Sequence, residues 1–236
     1  DKKVLLVDAN FSAPNIGLYL DLTENYTLQD SLNSNTLLQN AIYEAHGIGS
    51  IPASLNYHKE IDPYKLKKLL QKYKSRYDFI ILDTSPNYEE LKPVITAADK
   101  IFLVTSPDNV TLTTTLKAAQ IARDQNTPIE GIVVNKIRSP KHEYNLEEIE
   151  TISDVPVLAK IRDHKKIAHA AHQKTPITVF DSANTISREI KRFASSSCGS
   201  PEKDGFFQKL LPFKSIFQKE KVNRELLREK FYKSQI

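Results

Sequence analysis

Residues 78–106 read DFIILDTSPNYEELKPVITAADKIFLVTS. Two near-continuous apolar runs, each closing on polar groups, flank a stretch with helix-like spacing. The first run ends on Asp83 and Thr84, the second on Thr105 and Ser106. Runs without polar alternation predict strands buried on both faces, as in parallel sheets. The same signature recurs in VLLVDA at 4–9, SIPAS at 50–54, GIVVNKI at 131–137, VPVLAKI at 155–161 and ITVFD at 177–181. Between the runs, Tyr64, Leu66, Leu69 and Leu70 keep helical spacing, as do Leu112, Leu116, Ala119 and Ile121. Asp62-Pro63 supplies an N-cap followed by a first-turn proline. Strand and helix alternate throughout, which predicts an α/β, doubly wound, mostly parallel sheet with helices on both faces.

Composition narrows the class. An apolar content of 40% across 236 residues supports a sizeable core, and no stretch reaches the ~18 apolar residues that a membrane-spanning helix needs. One cysteine, Cys198, excludes an internal disulfide and fits a reducing, cytoplasmic setting. The chain has no Met and six Gly, and none of these opens a G-x-x-x-x-G-K-(S/T) phosphate loop. From Pro201 onward, nine Lys and Arg stand against five Asp and Glu, while the whole chain carries +4. The basic excess is therefore confined to the tail, together with five of the ten Phe. Domains are accordingly expected at 1–195, with a Ser/Gly/Pro linker at 196–205 and a helical tail at 206–236.

In open α/β sheets, ligands gather outside the carboxyl ends of the strands. The groups to weigh are Asp8 and Asn10, Asp83 and Thr84, Thr105 and Ser106, Asn135 and Lys136. A hydrophobic strand ending in aspartate is how nucleotide hydrolases hold Mg²⁺ at a phosphate. The bland alternative is an aspartate capping the next turn. For Asp83 alone the two balance; Asp8 on a second such strand tips them toward function.

LLVDANFSAPNIGLYLDL at 5–22, YDFIILDTSPNYEELKPVITAADKIFLVTSPDNVTL at 77–112 and IEGIVVNKIR at 129–138 resemble the MinD/ParA family of P-loop ATPases. The resemblance is nearest to archaeal MinD-like proteins and runs through residues 2–195. It implies ATP and Mg as cofactors and an ATP-dependent homodimer that positions a division site or other cell-surface cargo. Family members begin with a strand and a K-G-G-x-G-K-(S/T) loop ahead of the stretch that opens this chain, so an N-terminally truncated copy is expected.

Carried over by position, Asp8 stands where the first switch aspartate does, near Mg²⁺, and Asn10 replaces the second. Asparagine can orient water but cannot accept a proton near neutral pH, so the resemblance implies slow hydrolysis. Asn15 corresponds to an asparagine near the nucleotide. Asp83 corresponds to the aspartate linked to Mg²⁺ through water, with Thr84 beside it, and Asn135 to the asparagine that bonds the adenine edge. Asn87 stands where the family has glycine; asparagine is one of the few residues that tolerates a positive φ, so the loop can be kept, while its sensing of a γ-phosphate is not implied. Arg162 replaces a proline and carries no assigned role. The rival reading is a non-hydrolysing adaptor with a degenerate site. His169 and His172, three apart on a helix, are read as solvated rather than as metal ligands.

In the tail, Phe206, Leu210, Phe213 and Phe217 share a helical sector ringed by Lys209, Lys214, Lys219 and Lys221, the pattern of an interfacial helix at anionic lipid. Pro212 works against it, and docking on the body is the alternative. The sequence therefore points to a cytoplasmic protein attached peripherally to the membrane, or to a partner protein, through the tail. A nucleic-acid surface would spread Lys and Arg over the body and is disfavoured.

Overall fold

A computed structural model of the chain describes residues 2–23, 25–33, 36–55, 62–138, 141–198 and 231. In chain order the elements are β1 (Val4–Ala9), α1 (Ile16–Tyr19), α2 (Leu28–Asn33), a 3-10 turn at Leu38–Ala41, β2 (Tyr43–Ala45), β3 (Ile48–Ile51), α3 (Pro63–Gln71), β4 (Phe79–Thr84), α4 (Tyr88–Ala97), β5 (Ile101–Thr105), α5 (Asn109–Asp124), β6 (Ile129–Ile137), α6 (Leu146–Ser153), β7 (Val157–Arg162), α7 (Lys165–His172), α8 (Ile177–Phe180) and α9 (Thr185–Ser197).

The apolar runs pair in parallel, as their lack of alternation predicts. They do so in two groups: β2-β3-β1-β4 and β5-β6-β7. Only β2 runs antiparallel, as a hairpin with β3. On β1 and β4, Leu5 stands opposite Ile80 and Val7 opposite Leu82, so one face of the first half-sheet is continuous and apolar. That face packs on Leu66 and Leu70 of α3 and on Val94 and Ala97 of α4. In the second half-sheet, Leu103, Ile132, Val134 and Val157 meet Leu112, Ala119 and Ile121 of α5. Each fully buried Leu or Ile contributes about 1.5–3 kcal/mol. Phe102, next to Leu103, points to the opposite face and meets Phe193 of α9 edge-on at 5.3 Å. Helices therefore cover both faces of this half.

Strands β4 and β5 do not pair with each other. The two halves are joined through α4, whose Val94 and Ala97 enter the first cluster while Leu91 and Ile95 enter the second. A bond from Thr127 Oγ1 to the Ile95 carbonyl, 3.2 Å, fixes α4 to the second half. Ile81, Phe102 and Val104 keep 50%, 37% and 59% of their surface exposed, so the middle of the layer is thinly covered on that side.

Helix starts follow their caps. Asp62 accepts from Tyr64 N–H at 2.9 Å ahead of Pro63, as expected. Asn145 and Glu148 form a reciprocal capping box on α6.

Three expectations change. ITVFD is a helical turn, α8, rather than a strand. Pro176 starts it by accepting from Val179 and Phe180 N–H at 2.9 Å each, and α9 holds it through Ser187 Oγ to the Ile177 carbonyl, 3.0 Å. β-Branched propensity loses here to local capping. The 50–54 strand is centred earlier and ends at Ile51, before Pro52 withdraws a ladder donor. Helix α9 continues through Ser197, two residues into the stretch read as a linker. Of the tail, Phe231 alone is described: it is helical, half-buried and packed against the second cluster. The lipid-facing sector at 206–217 lies outside the described residues.

Candidate functional site

Parallel pairing sets Asp8 directly opposite Asp83. Neighbouring parallel strands lie about 4.8 Å apart, and side chains in register share a face. Since Val7 and Leu82 face the α3–α4 side, Asp8 and Asp83 face the other, at the carboxyl edge. Two acids are thereby held side by side where the sheet ends.

The chain folds back on Asp8 to hold it. Its Oδ1 accepts from Asn10 N–H at 3.1 Å, and its Oδ2 from Asn15 and Ile16 N–H at 2.9 and 3.0 Å. Asp8 has no exposed surface, and burial pushes its carboxyl above the ordinary range against the pull of those three amides. Asp83 is also pushed up, first by the protein around it and then by the negative charge of Asp8. Its own surface is open to water, so screening blunts that push. The result is a pair of neighbouring acids, neither of which forms a salt bridge among the described residues. Among the described residues no three His, Cys, Asp or Glu gather as a metal cluster. An exposed carboxylate, Asp83, beside a buried one, Asp8, fits a hard divalent cation that keeps most of its waters, the habit of Mg²⁺.

The other candidates divide by position. Asn10 accepts from Ala13 N–H at 3.2 Å, so its side-chain oxygen closes a turn. Asn15 reaches Asp8 through its backbone, while its amide nitrogen donates to the Ala13 carbonyl at 3.4 Å. Thr84 Oγ1 donates to the Ser85 carbonyl at 3.4 Å. Asn87 takes φ −70° and caps α4 by accepting from Glu89 N–H at 3.3 Å, so its tolerance of positive φ is not used and the cap satisfies an orphan amide in ordinary extended backbone. Asn135 belongs to the second half-sheet, on the strand beyond β5, and is not brought to the acid pair. There the β6–β7 register shifts, Lys136 takes φ 56°, and Asn135 Oδ1 accepts from Lys136 N–H at 2.8 Å.

His169 lies edge-on to Phe180 at 5.0 Å, while His172 lines a separate depression with His46, Asp21 and Lys174. The two histidines therefore serve different surroundings.

Glu90 escaped the sequence reading. Its Oε2 accepts from Ser12 N–H at 3.2 Å and from Ser85 Oγ at 2.8 Å, which joins the loops after β1 and β4. No local spacing marks it, because one of its donors is 78 residues away.

Residues 90–171 match the model of an AAA domain family. An uncharacterized ATP-binding protein of Methanocaldococcus jannaschii is 28% identical over 84% of this chain and 77% of its own length. The septum site-determining protein MinD of Pyrococcus horikoshii, complexed with Mg-ADP, superposes with a TM-score of 0.75 at 24% identity, covering 83% of each chain. The MinC:MinD cell division protein complex of Aquifex aeolicus includes a chain matching with TM-score 0.75 at 22% identity, over 84% of each chain. The chain has the MinD/ParA-type P-loop ATPase fold. Among the described residues, no helix is long and apolar enough to cross a membrane.

Proposed function

We propose that the chain is an ATP-dependent dimerising switch for spatial positioning, attached to a membrane surface or a partner protein through its tail. The observation that carries this reading is the acid pair, Asp8 beside Asp83, at the carboxyl edge, with the charge of Asp8 pushing Asp83 toward its protonated form. The residues present fit Mg²⁺, because their unmet need is positive charge and their donors are oxygens. They do not include a glycine-rich cradle for a triphosphate. Asp8 and Asp83 would hold the ion, Asp83 through water, with Thr84 beside them, and Asn135 would read the adenine edge. A bound Mg-ATP supplies the phosphoanhydride to be cleaved and the charge that balances the two acids.

The residues around the pair do the rest. The amides of Asn10, Asn15 and Ile16 fix the Asp8 carboxylate in one orientation, so it need not reorganise when the ion arrives. Asn10 offers no carboxylate, so turnover is slow and the switch holds its state. The Mg-ADP complex of the Pyrococcus protein supports the cofactor, and the MinC-bound Aquifex protein supports a partner. Paired subunits would double weak attachment sites, which is how a nucleotide state becomes a surface residence time.

The non-hydrolysing adaptor remains a second reading because Asn10 Oδ1 is spent on Ala13 N–H. Two measurements test the scheme. Mn²⁺ titration followed by electron paramagnetic resonance should give one site, weakened about tenfold or more by Asp83→Asn, the scale of one lost charge-assisted contact. Equal affinity in parent and variant would sink the acid-pair assignment. Steady-state ATPase that stays absent in the parent but is restored by Asn10→Asp favours the adaptor. Binding to anionic liposomes should vanish on deletion of residues 205–236, and unchanged binding removes the membrane from the scheme.

A further inference from the structure

Glu90 sits in the first turn of α4 with one carboxylate oxygen serving two loops. Ser12 N–H belongs to the segment whose neighbouring amides, at Asn10, Asn15 and Ile16, hold Asp8. Ser85 follows the Asp83-Thr84 strand end, is 3% exposed, and also accepts from Asn87 N–H at 3.2 Å. One side chain thus reaches the loop behind each acid. Its helix is the one whose faces enter both hydrophobic clusters, through Val94 and Ala97 on one side and Leu91 and Ile95 on the other.

We propose that Glu90 is a positioning residue that locks the two acidic loops to α4, so that occupation of the acid pair is passed to both half-sheets through that helix. The physical reason is the shared acceptor. An ion held at the pair would fix the loop that carries Ser12 relative to the strand end that carries Ser85, and the Ser12–Glu90–Ser85 chain would pass that constraint to the start of α4. A carboxylate suits this work because a charged acceptor gives stronger bonds than a neutral one and can take two donors at once. The proposal rests on the nucleotide-gated reading for its ligand; the tie itself stands on geometry alone.

The test uses the whole chain with Glu90→Ala and Glu90→Gln. Backbone amide exchange is read at Ser12 and over 85–91, and Mn²⁺ alone is the probe for the acid pair. For Glu90→Ala, exchange at Ser12 and over 85–91 should accelerate together by about tenfold, and Mn²⁺ affinity should fall about fivefold, the scale of one lost charge-assisted bond. Glu90→Gln keeps an acceptor oxygen and should recover most of both. A residue that only caps α4 would loosen 85–91 while leaving Ser12 and Mn²⁺ unmoved, and that result overturns the proposal. Should the parent take up no Mn²⁺, the nucleotide reading fails; joint acceleration of the two segments then still supports the tie, and separate responses refute it. Should Glu90→Ala not fold, Ser85→Ala removes one leg: faster exchange at Ser12 supports the tie and no change overturns it.

Discussion

At the ends of β1 and β4, two aspartates lie side by side, one gripped by three amides and both pushed toward the protonated form. At the ends of β5 and β6 stand Thr105 and Asn135, whose polar atoms bond the adjacent Ser106 carbonyl and Lys136 N–H. Both halves are mostly parallel sheets with a helical cover, yet among the described residues the first alone sets two acids side by side at its strand ends. The difference teaches that strand-end position is not enough to mark a site. A hydroxyl or carboxamide at a strand end can satisfy itself locally, whereas a pair of neighbouring carboxylates cannot.

The strongest way to break this comparison is to damage the two cores separately. Leu5→Ala in the first cluster and Ile132→Ala in the second should each cost about 2–5 kcal/mol by urea unfolding, since both side chains are fully buried. A single transition is expected in each variant, because α4 belongs to both clusters; two separate steps would show that the halves fold apart. A smaller effect belongs to the second half alone. Gly131 has φ 148°, and an added Cβ would lie 2.5 Å from Leu158 Cγ. Gly131→Ala should cost about 1–3 kcal/mol by the same measurement, with Mn²⁺ binding at the acid pair untouched.

Asp83→Asn sharpens the contrast from the other side. Folding raises the Asp83 pKa above 3.8, so the folded chain holds that proton to higher pH than the unfolded chain does. Stability therefore falls as pH rises through that window, and the ionised pair is a cost at neutral pH without a cation. The variant should melt about 1–3 °C above the parent at pH 7 in chelator, and the gap should close as pH falls toward the unperturbed carboxyl range. A variant that melts lower at pH 7 would contradict that cost. The least effect is expected at the ion pair of Lys74 and Asp99, 2.6 Å long with 46% and 69% of the side chains exposed. Lys74→Met should change stability by no more than about 0.5 kcal/mol by urea unfolding.

Much of this arrangement was legible in the sequence. Long apolar runs ending on Asp8 and Asp83 fixed both the strand identity and the edge at which the acids emerge, since a parallel strand buried on two faces has few polar positions to spare. Asp62-Pro63 announced its helix because capping is local. ITVFD misled because four residues of strand-like composition weigh little against a proline cap and a neighbouring helix. At Asn87 the tolerance of positive φ goes unused, because the side chain caps α4 instead. Glu90 was invisible, because one of its two donors lies 78 residues away, and no short-range pattern encodes that.

Strands β4 and β5 each leave one edge without a strand partner among the described residues, with Ile81, Phe102 and Val104 showing beside those edges. Exposed hydrogen-bonding edges of this kind template the addition of further chains, and neither Lys nor Pro interrupts the FIIL and IFLV segments that would stack. Where those edges stay unpaired, they are expected to limit the concentration at which the chain remains dispersed.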